Sequence, residues 1–241
     1  MPWELMIPSQ AGRGNRKPLG VEFCVARWTD RTNVAAAPQK VHLIDSSVVA
    51  PQYDDKAKVL KWAEKEKDLV LATFTGKAIM PASFPEVEKE LETQLRSLVH
   101  FVCHGQEESG IQTIDLEDGK MSCNALLGMD GVAAAFAKKH PLVFLNACEV
   151  GRRTPALVGL GGFADSFIQI GASAVIAPLW SVEDEAAHDV ASEFYRRVKK
   201  EPNTPFAEIL RGIRAKAYET GAKDTYAAYC FYGDPAAIRV S

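Results

Sequence analysis

Short apolar runs alternate with amphipathic stretches along most of this chain, and that alternation sets the fold class. The runs at 98–103, 142–147 and 172–179 are nearly continuous in Val, Ile, Leu, Phe and Ala, so they predict strands buried on both faces. Helical spacing fills the intervals. Ser83-Phe84-Pro85-Glu86 has the form of a capping box, and the helix it opens carries Val87, Leu91 and Leu95 on one side. Residues 125–139 predict a second helix, and 160–170 a third that Gly171 stops. Ser181 to Asp184 predict a cap for a helix with Val190, Phe194 and Val198 inward. Thr204-Pro205 opens another, with Ile209, Ile213 and Ala217 inward and Gly221 at its end. Residues 226–232 read as a last strand, closed by Gly233-Asp234-Pro235.

The first third is less regular. Residues 8–18 hold glycine, proline and basic residues and predict a loop. Residues 21–28 and 41–44 are β-rich, with Asp45-Ser46-Ser47 placed as a strand-end loop after the second. Residues 54–68 are helical in composition, 69–74 fit either helix or strand, and 106–124 predict a loop or small hairpin. Strands alternating with helices imply an α/β fold with a mostly parallel central sheet covered on both faces. With no internal repeat and no linker, residues 1–241 are expected to form a single domain.

Composition narrows the function. The 241 residues are 47% hydrophobic and 24% charged, an ordinary globular balance. A net charge of −3 argues against direct nucleic-acid binding, and no apolar run approaches a membrane span. Five scattered cysteines (Cys24, Cys103, Cys123, Cys148, Cys230) lack metal-type spacing and fit free thiols in a reducing cytoplasmic setting. No cofactor and no metal are expected.

The chemistry sits where two of the apolar runs stop. Leu98-Val99-His100-Phe101-Val102-Cys103 is followed by His104-Gly105, and Leu142-Val143-Phe144-Leu145-Asn146-Ala147 is followed by Cys148-Glu149-Val150-Gly151. Ligands gather outside the carboxyl ends of parallel strands, so an imidazole and a thiol on one rim make a nucleophile and its proton-transfer partner. Taken singly, each has a structural reading: free cysteine is commonly core packing, and a strand-end histidine commonly bonds a loop carbonyl. Both at one rim favour a catalytic dyad. His100, inside its strand, reads as a packed or hydrogen-bonded histidine, and Cys103 alternates away from His104 into the core. A zinc site from Cys103, His104 and Cys148 would need adjacent strand residues to face one way, which the pleat opposes. Arg152-Arg153 reads as a solvated loop. Gly159-Leu160-Gly161-Gly162 lacks the lysine and preceding strand of a phosphate loop.

These pieces resemble the CHAT family of caspase-like, clan CD cysteine peptidases along nearly the whole length. Pro2-Trp3-Glu4-Leu5, the His104 and Cys148 signatures, residues 171–182 (Gly-Ala-Ser-Ala-Val-Ile-Ala-Pro-Leu-Trp-Ser-Val) and Tyr232-Gly233-Asp234-Pro235 carry the likeness. It implies a caspase-like three-layer α/β sandwich with a His–Cys dyad: Cys148 attacks the scissile carbonyl, His104 moves the proton, and the Gly105 and Cys148 N–H groups form the oxyanion hole. In related folds the residue two before the nucleophile lines the pocket for the residue preceding the cut. Here it is Asn146, an amide where basic-specific relatives have an acid. Asp45, Trp180, Ser181 and Asp184 join it as substrate-binding candidates, being expected at strand ends, with a helix-capping acid as the alternative reading of Asp184. Family members act on protein partners, some in bacterial defence under RNA-guided CRISPR effectors and some beside gasdermin-like pore formers. Their Pro-Trp-Glu segment lies well inside longer proteins. The expectation is therefore an excised peptidase domain, or a short form governed by a regulatory domain or partner protein. The alternatives are a non-catalytic interaction module on a caspase-like shell, or a thiol acyltransferase using the same nucleophile.

Overall fold

Three of the apolar runs form the middle of a seven-stranded sheet, because side chains that are apolar on both sides of a strand need cover on both. The computed structural model describes residues 3–7, 17–29, 32, 34–147, 162–221 and 227–241. In chain order the regular elements are α1 (Leu19–Glu22), β1 (Ala26–Arg27), β2 (Lys40–His42), β3 (Asp45–Val49), α2 (Ala63–Thr73), β4 (Thr75–Ile79), α3 (Phe84–Thr93) and β5 (Leu98–Cys103). β6 (Gly105–Glu108), β7 (Ile111–Asp115), β8 (Lys120–Ser122), α4 (Cys123–Leu127), α5 (Asp130–Lys139) and β9 (Leu142–Ala147) follow. The last are α6 (Phe163–Ile170), β10 (Ala174–Pro178), α7 (Asp184–Lys200), α8 (Phe206–Glu219), β11 (Tyr229–Tyr232) and β12 (Ile238–Val240).

The central sheet has the order β1-β11-β10-β9-β5-β3-β4, parallel throughout except where β11 runs against β10. Alternation along the strands sorts the core into two layers. Val48, Val102, Phe144 and Ile176 pack under α2, α7 and α8 with Phe194, Tyr195 and Phe206. Val49, Phe101, Leu145 and Val175 pack on the other side under α3 to α6, with Phe136 and Phe167. Each of these buried side chains contributes about 1.5–3 kcal/mol, so the sheet centre is the most strongly held part of the molecule. Two small sheets flank it, the antiparallel β6-β7-β8 and the parallel pair β12-β2. The N-terminal motif is structural. Glu4 is fully buried, accepts from Arg27 Nη2 at 2.6 Å and from the Cys230 thiol at 3.0 Å, and so pins the start of the chain to β1 and β11.

Several elements differ from the sequence reading. The run at 41–44 contributes to β2 in the small sheet, and the central strand begins only at Asp45. Its two serines disguise it: Ser46 and Ser47 are fully buried, with Ser46 Oγ donating to the Phe74 carbonyl at 3.0 Å. Residues 21–28 split between α1 and a two-residue strand. The helix expected at 125–139 is two, α4 and α5, broken around Gly128 and Met129. At α3 the Ser83 side chain makes no capping bond, and the Phe84 N–H is met by Asp118 Oδ1 at 2.8 Å. Gly171 does end α6, in the left-handed conformation (φ 114°) that a side chain would strain.

Candidate active site

β5 and β9 are hydrogen-bonded neighbours in parallel register, with Cys103 paired to Ala147, so both end at the same level of the rim. His104 and Cys148 are the next residues of the two strands. Cys148, with its neighbours to 161, lies outside the described residues, as do Arg152 and Arg153. Gly105 opens β6, and a Cβ added there would come within 3.1 Å of the Ala147 Cβ, so the backbone carrying one candidate oxyanion donor lies against the end of the nucleophile strand.

His104 is 8% exposed and held on several sides. Its Nε2 lies 2.6 Å from the Lys58 carbonyl. A carbonyl only accepts, so Nε2 carries the proton and the lone pair of the neutral ring is on Nδ1. The His104 backbone N–H donates to the Tyr53 hydroxyl at 3.1 Å, that hydroxyl donates onward to the Asp115 carbonyl at 3.0 Å, and the two rings lie 5.1 Å apart. The Asp115 N–H closes the loop by donating to the His104 carbonyl at 2.9 Å. Asp115 in turn accepts from Lys58 Nζ at 2.8 Å, a bond that raises the lysine pKa. The segment between β3 and α2 thus fixes both backbone and ring of the candidate base. Sequence reasoning missed Tyr53 and Lys58, and for the latter no signal existed, since the acting atom is a backbone oxygen.

The remaining candidates separate. Trp180 and Ser181 follow β10 at the rim, and Asp184 opens α7, its Oδ2 accepting from the Trp62 N–H at 3.0 Å just ahead of α2. Asn146 is only 3% exposed, with its Nδ2 donating to Glu66 at 2.7 Å and its Oδ1 accepting from the Tyr229 hydroxyl. Both ends of the amide are therefore committed beneath the rim. Asp45 requires a correction. It is the first residue of β3 and accepts from the Ser97 N–H at 2.8 Å, at the amino ends of the strands. Six residues of β5 separate that edge from His104, roughly 20 Å. The sequence puts Asp45 at a strand end only because 41–44 has the composition of the central strand. Cys103 packs in the layer under α3 to α6, opposite to His100. Among the described residues no cluster of His, Cys, Asp or Glu is arranged to hold a metal ion, and no helix is long and apolar enough to cross a membrane.

The CHAT domain family model matches residues 1–234. The chain is a member of the CHAT domain family. Its fold is that of caspase-like cysteine proteases. The CHAT chain superimposes on the Porphyromonas gingivalis RgpB pro- and mature-domain complex with a TM-score of 0.57 at 15% identity, covering 81% of this chain and 48% of that one. It matches the Arg-specific cysteine proteinase gingipain R with a TM-score of 0.55 at 16% identity, over 80% and 47% of the two chains. The Drosophila initiator caspase Dronc matches at 0.51 and 12% identity, over 97% and 96%. The CHAT chain spans about half the length of the gingipain chains it matches. No curated protein matches the sequence.

Proposed function

We propose that this CHAT domain is a cysteine endopeptidase that cuts a protein partner through a His104–Cys148 dyad. The observation that carries the proposal is the level pairing of Cys103 with Ala147, followed in sequence by a histidine whose Nε2–H is already given to the Lys58 carbonyl. That tautomer makes Nδ1 the base. In the reaction the Cys148 S–H proton passes to His104 Nδ1 while sulfur bonds to the scissile carbonyl carbon. The C–N bond then breaks as His104 returns the proton to the leaving amine, and water releases the acyl group from sulfur. The Gly105 and Cys148 N–H groups serve the oxyanion, each worth about 3–4 kcal/mol in the transition state.

Trp180, Ser181 and Asp184 frame the pocket for the residue before the cut. Asn146 cannot supply the charge that a carboxylate would offer a basic residue, Asp45 lies at the opposite edge and one oxygen of Asp184 is engaged by the Trp62 N–H, which supports a neutral or long side chain there. Control by a regulatory domain or partner protein fits a domain whose activity acts on other proteins. The test is a proteome-wide search for new N-termini in cells expressing the chain, against a Cys148→Ala control. Cuts that depend on Cys148 support the reading; identical N-termini in both samples reject it and leave the interaction-module alternative.

A further inference from the structure

Beneath the rim, one carboxylate joins the two strands whose ends carry the dyad. Glu66, in the first turn of α2, is 1% exposed although it sits in the charged run Glu64-Lys65-Glu66-Lys67. Its Oε1 accepts from His100 Nε2 on β5 at 2.7 Å and from Asn146 Nδ2 on β9 at 2.7 Å. Its Oε2 faces His188 Nδ1 of α7 at 3.9 Å. Each partner is braced from behind: His100 Nδ1 lies 2.7 Å from the Tyr195 hydroxyl of α7, and Asn146 Oδ1 accepts from the Tyr229 hydroxyl of β11. His100, Asn146, Tyr195 and Tyr229 are all nearly or fully buried. A carboxylate in such a place carries a large desolvation cost that an apolar side chain would avoid, so its retention asks for a purpose other than stability. Its placement supplies one. Asn146 stands two residues before Cys148 on the same strand, and the chain leading into α2 presents the Lys58 carbonyl to His104.

Resting on the dyad reading above, we infer that Glu66 is a positioning residue: it holds the carboxyl half of β9 through Asn146 and of β5 through His100, and so sets the reach between Cys148 and His104. It touches no reacting atom. Asn146 is then a strut of this clamp, which explains why both ends of its amide are hydrogen-bonded within the fold.

The donor and acceptor pattern makes the inference testable by inversion. In Asn146→Asp two carboxylates meet at one hydrogen-bond distance and cannot both be ionised, so the clamp closes only when the pair binds a proton. His100, His188, Tyr195 and Tyr229 are the titratable groups facing it from β5, α7 and β11. Adding Glu66→Gln reverses the bonds from position 66 outward while Tyr229 still donates to position 146: the glutamine NH2 donates to the carboxylate introduced there and to His100 Nε2, and His100 Nδ1–H donates to Tyr195. The readout is the rate of Cys148 alkylation by iodoacetamide, followed by mass spectrometry from about pH 5.5 to 8.5, with each variant's fold checked by circular dichroism. N146D is expected to react about tenfold or more slowly than wild type at neutral pH, as small displacements of reacting groups do, and to approach it in acid. The E66Q/N146D double variant is expected to recover the wild-type rate and profile. N146D with a wild-type profile overturns the clamp, and so does a folded double variant that stays slow. If N146D fails to fold at neutral pH, the double variant alone decides. His104→Ala in the same assay isolates the underlying reading: a wild-type rate there removes the dyad, whereas a slow H104A with an unaffected N146D removes the clamp only.

Discussion

Replacing Tyr53 by Phe removes one oxygen and leaves everything else of the ring in place. That oxygen accepts from the His104 N–H and donates to the Asp115 carbonyl, while the ring keeps its 5.1 Å contact with the imidazole. Burial is the main reason the hydroxyl pKa is pushed far above the tyrosine range, so it stays protonated at any working pH and its loss acts equally across the profile. Two hydrogen bonds contribute about 1 kcal/mol each, and a buried donor left alone costs about 1–3 kcal/mol. Tyr53 is half-buried, so water can reach part of the gap, and a total near 2 kcal/mol follows. For a chain of this size that lowers the melting temperature by roughly 4–8 °C. Because the anchor lost is the one on the His104 backbone, alkylation of Cys148 should slow by about tenfold as well. Differential scanning fluorimetry and iodoacetamide kinetics on the same samples read both quantities. An unchanged melting point with an unchanged alkylation rate would refute the claim that Tyr53 fixes the base; a lower melting point with normal reactivity would reduce it to a structural tie.

Other perturbations separate neighbouring claims. Arg211 hydrogen-bonded to Glu208 holds that carboxyl down at about 2. Its stabilising contribution is complete above the unfolded value near 4.5 and disappears as pH falls toward about 2. Glu208→Gln should therefore melt lower than wild type at neutral pH, with the gap closing in acid; a constant gap from neutral pH down to pH 2 contradicts the pairing. Burial alone would raise the Asp45 carboxyl, yet the Ser97 N–H and hydroxyl, with Lys139 and Arg96, hold it below the usual range. Asp45→Asn should lower stability at neutral pH, less so in acid, and leave the cleavage profile untouched. A shifted preference in a peptide library varied before the cut would return Asp45 to the pocket. In that library the wild-type chain should accept neutral or long side chains, and overwhelming selection of arginine counts against the pocket drawn above.

How much of this is readable in advance depends on whether the signal is local. The strands carrying His104 and Cys148 announce themselves, since a strand covered on both faces must be apolar at every position and its end must break at a polar or small residue. The level pairing of Cys103 and Ala147 follows from adjacent parallel strands of equal length. His100 reads correctly as a bonded core histidine, but its partner does not. Glu66 sits in a run that looks solvated, and only the fold turns that one acid inward while Glu64 and Lys65 stay outside. β3 lies a few residues from its expected place because its buried serines spend their hydroxyls on internal acceptors, which composition alone reports as loop. β6, β7 and β8 occupy the stretch that reads as a loop or small hairpin, and the reading goes no further because a small sheet with an exposed face has polar strands and little apolar periodicity.

The proposed chemistry stands on Cys148 being the activated thiol. Cys24 is exposed on the surface, yet partial desolvation of its thiol and the hydrogen bond to Glu208 raise its pKa to about 11 and keep it protonated, while full burial drives Cys230 well up. Cys103 and Cys123 are buried. The direct measurement is labelling by a peptidyl acyloxymethyl ketone at neutral pH, with adducts mapped by mass spectrometry on wild type, Cys148→Ala and His104→Ala. The expected result is a single adduct on Cys148 in wild type and none in either variant at the same exposure. An adduct on another cysteine in its place, or His104→Ala labelled as fast as wild type, would contradict the dyad.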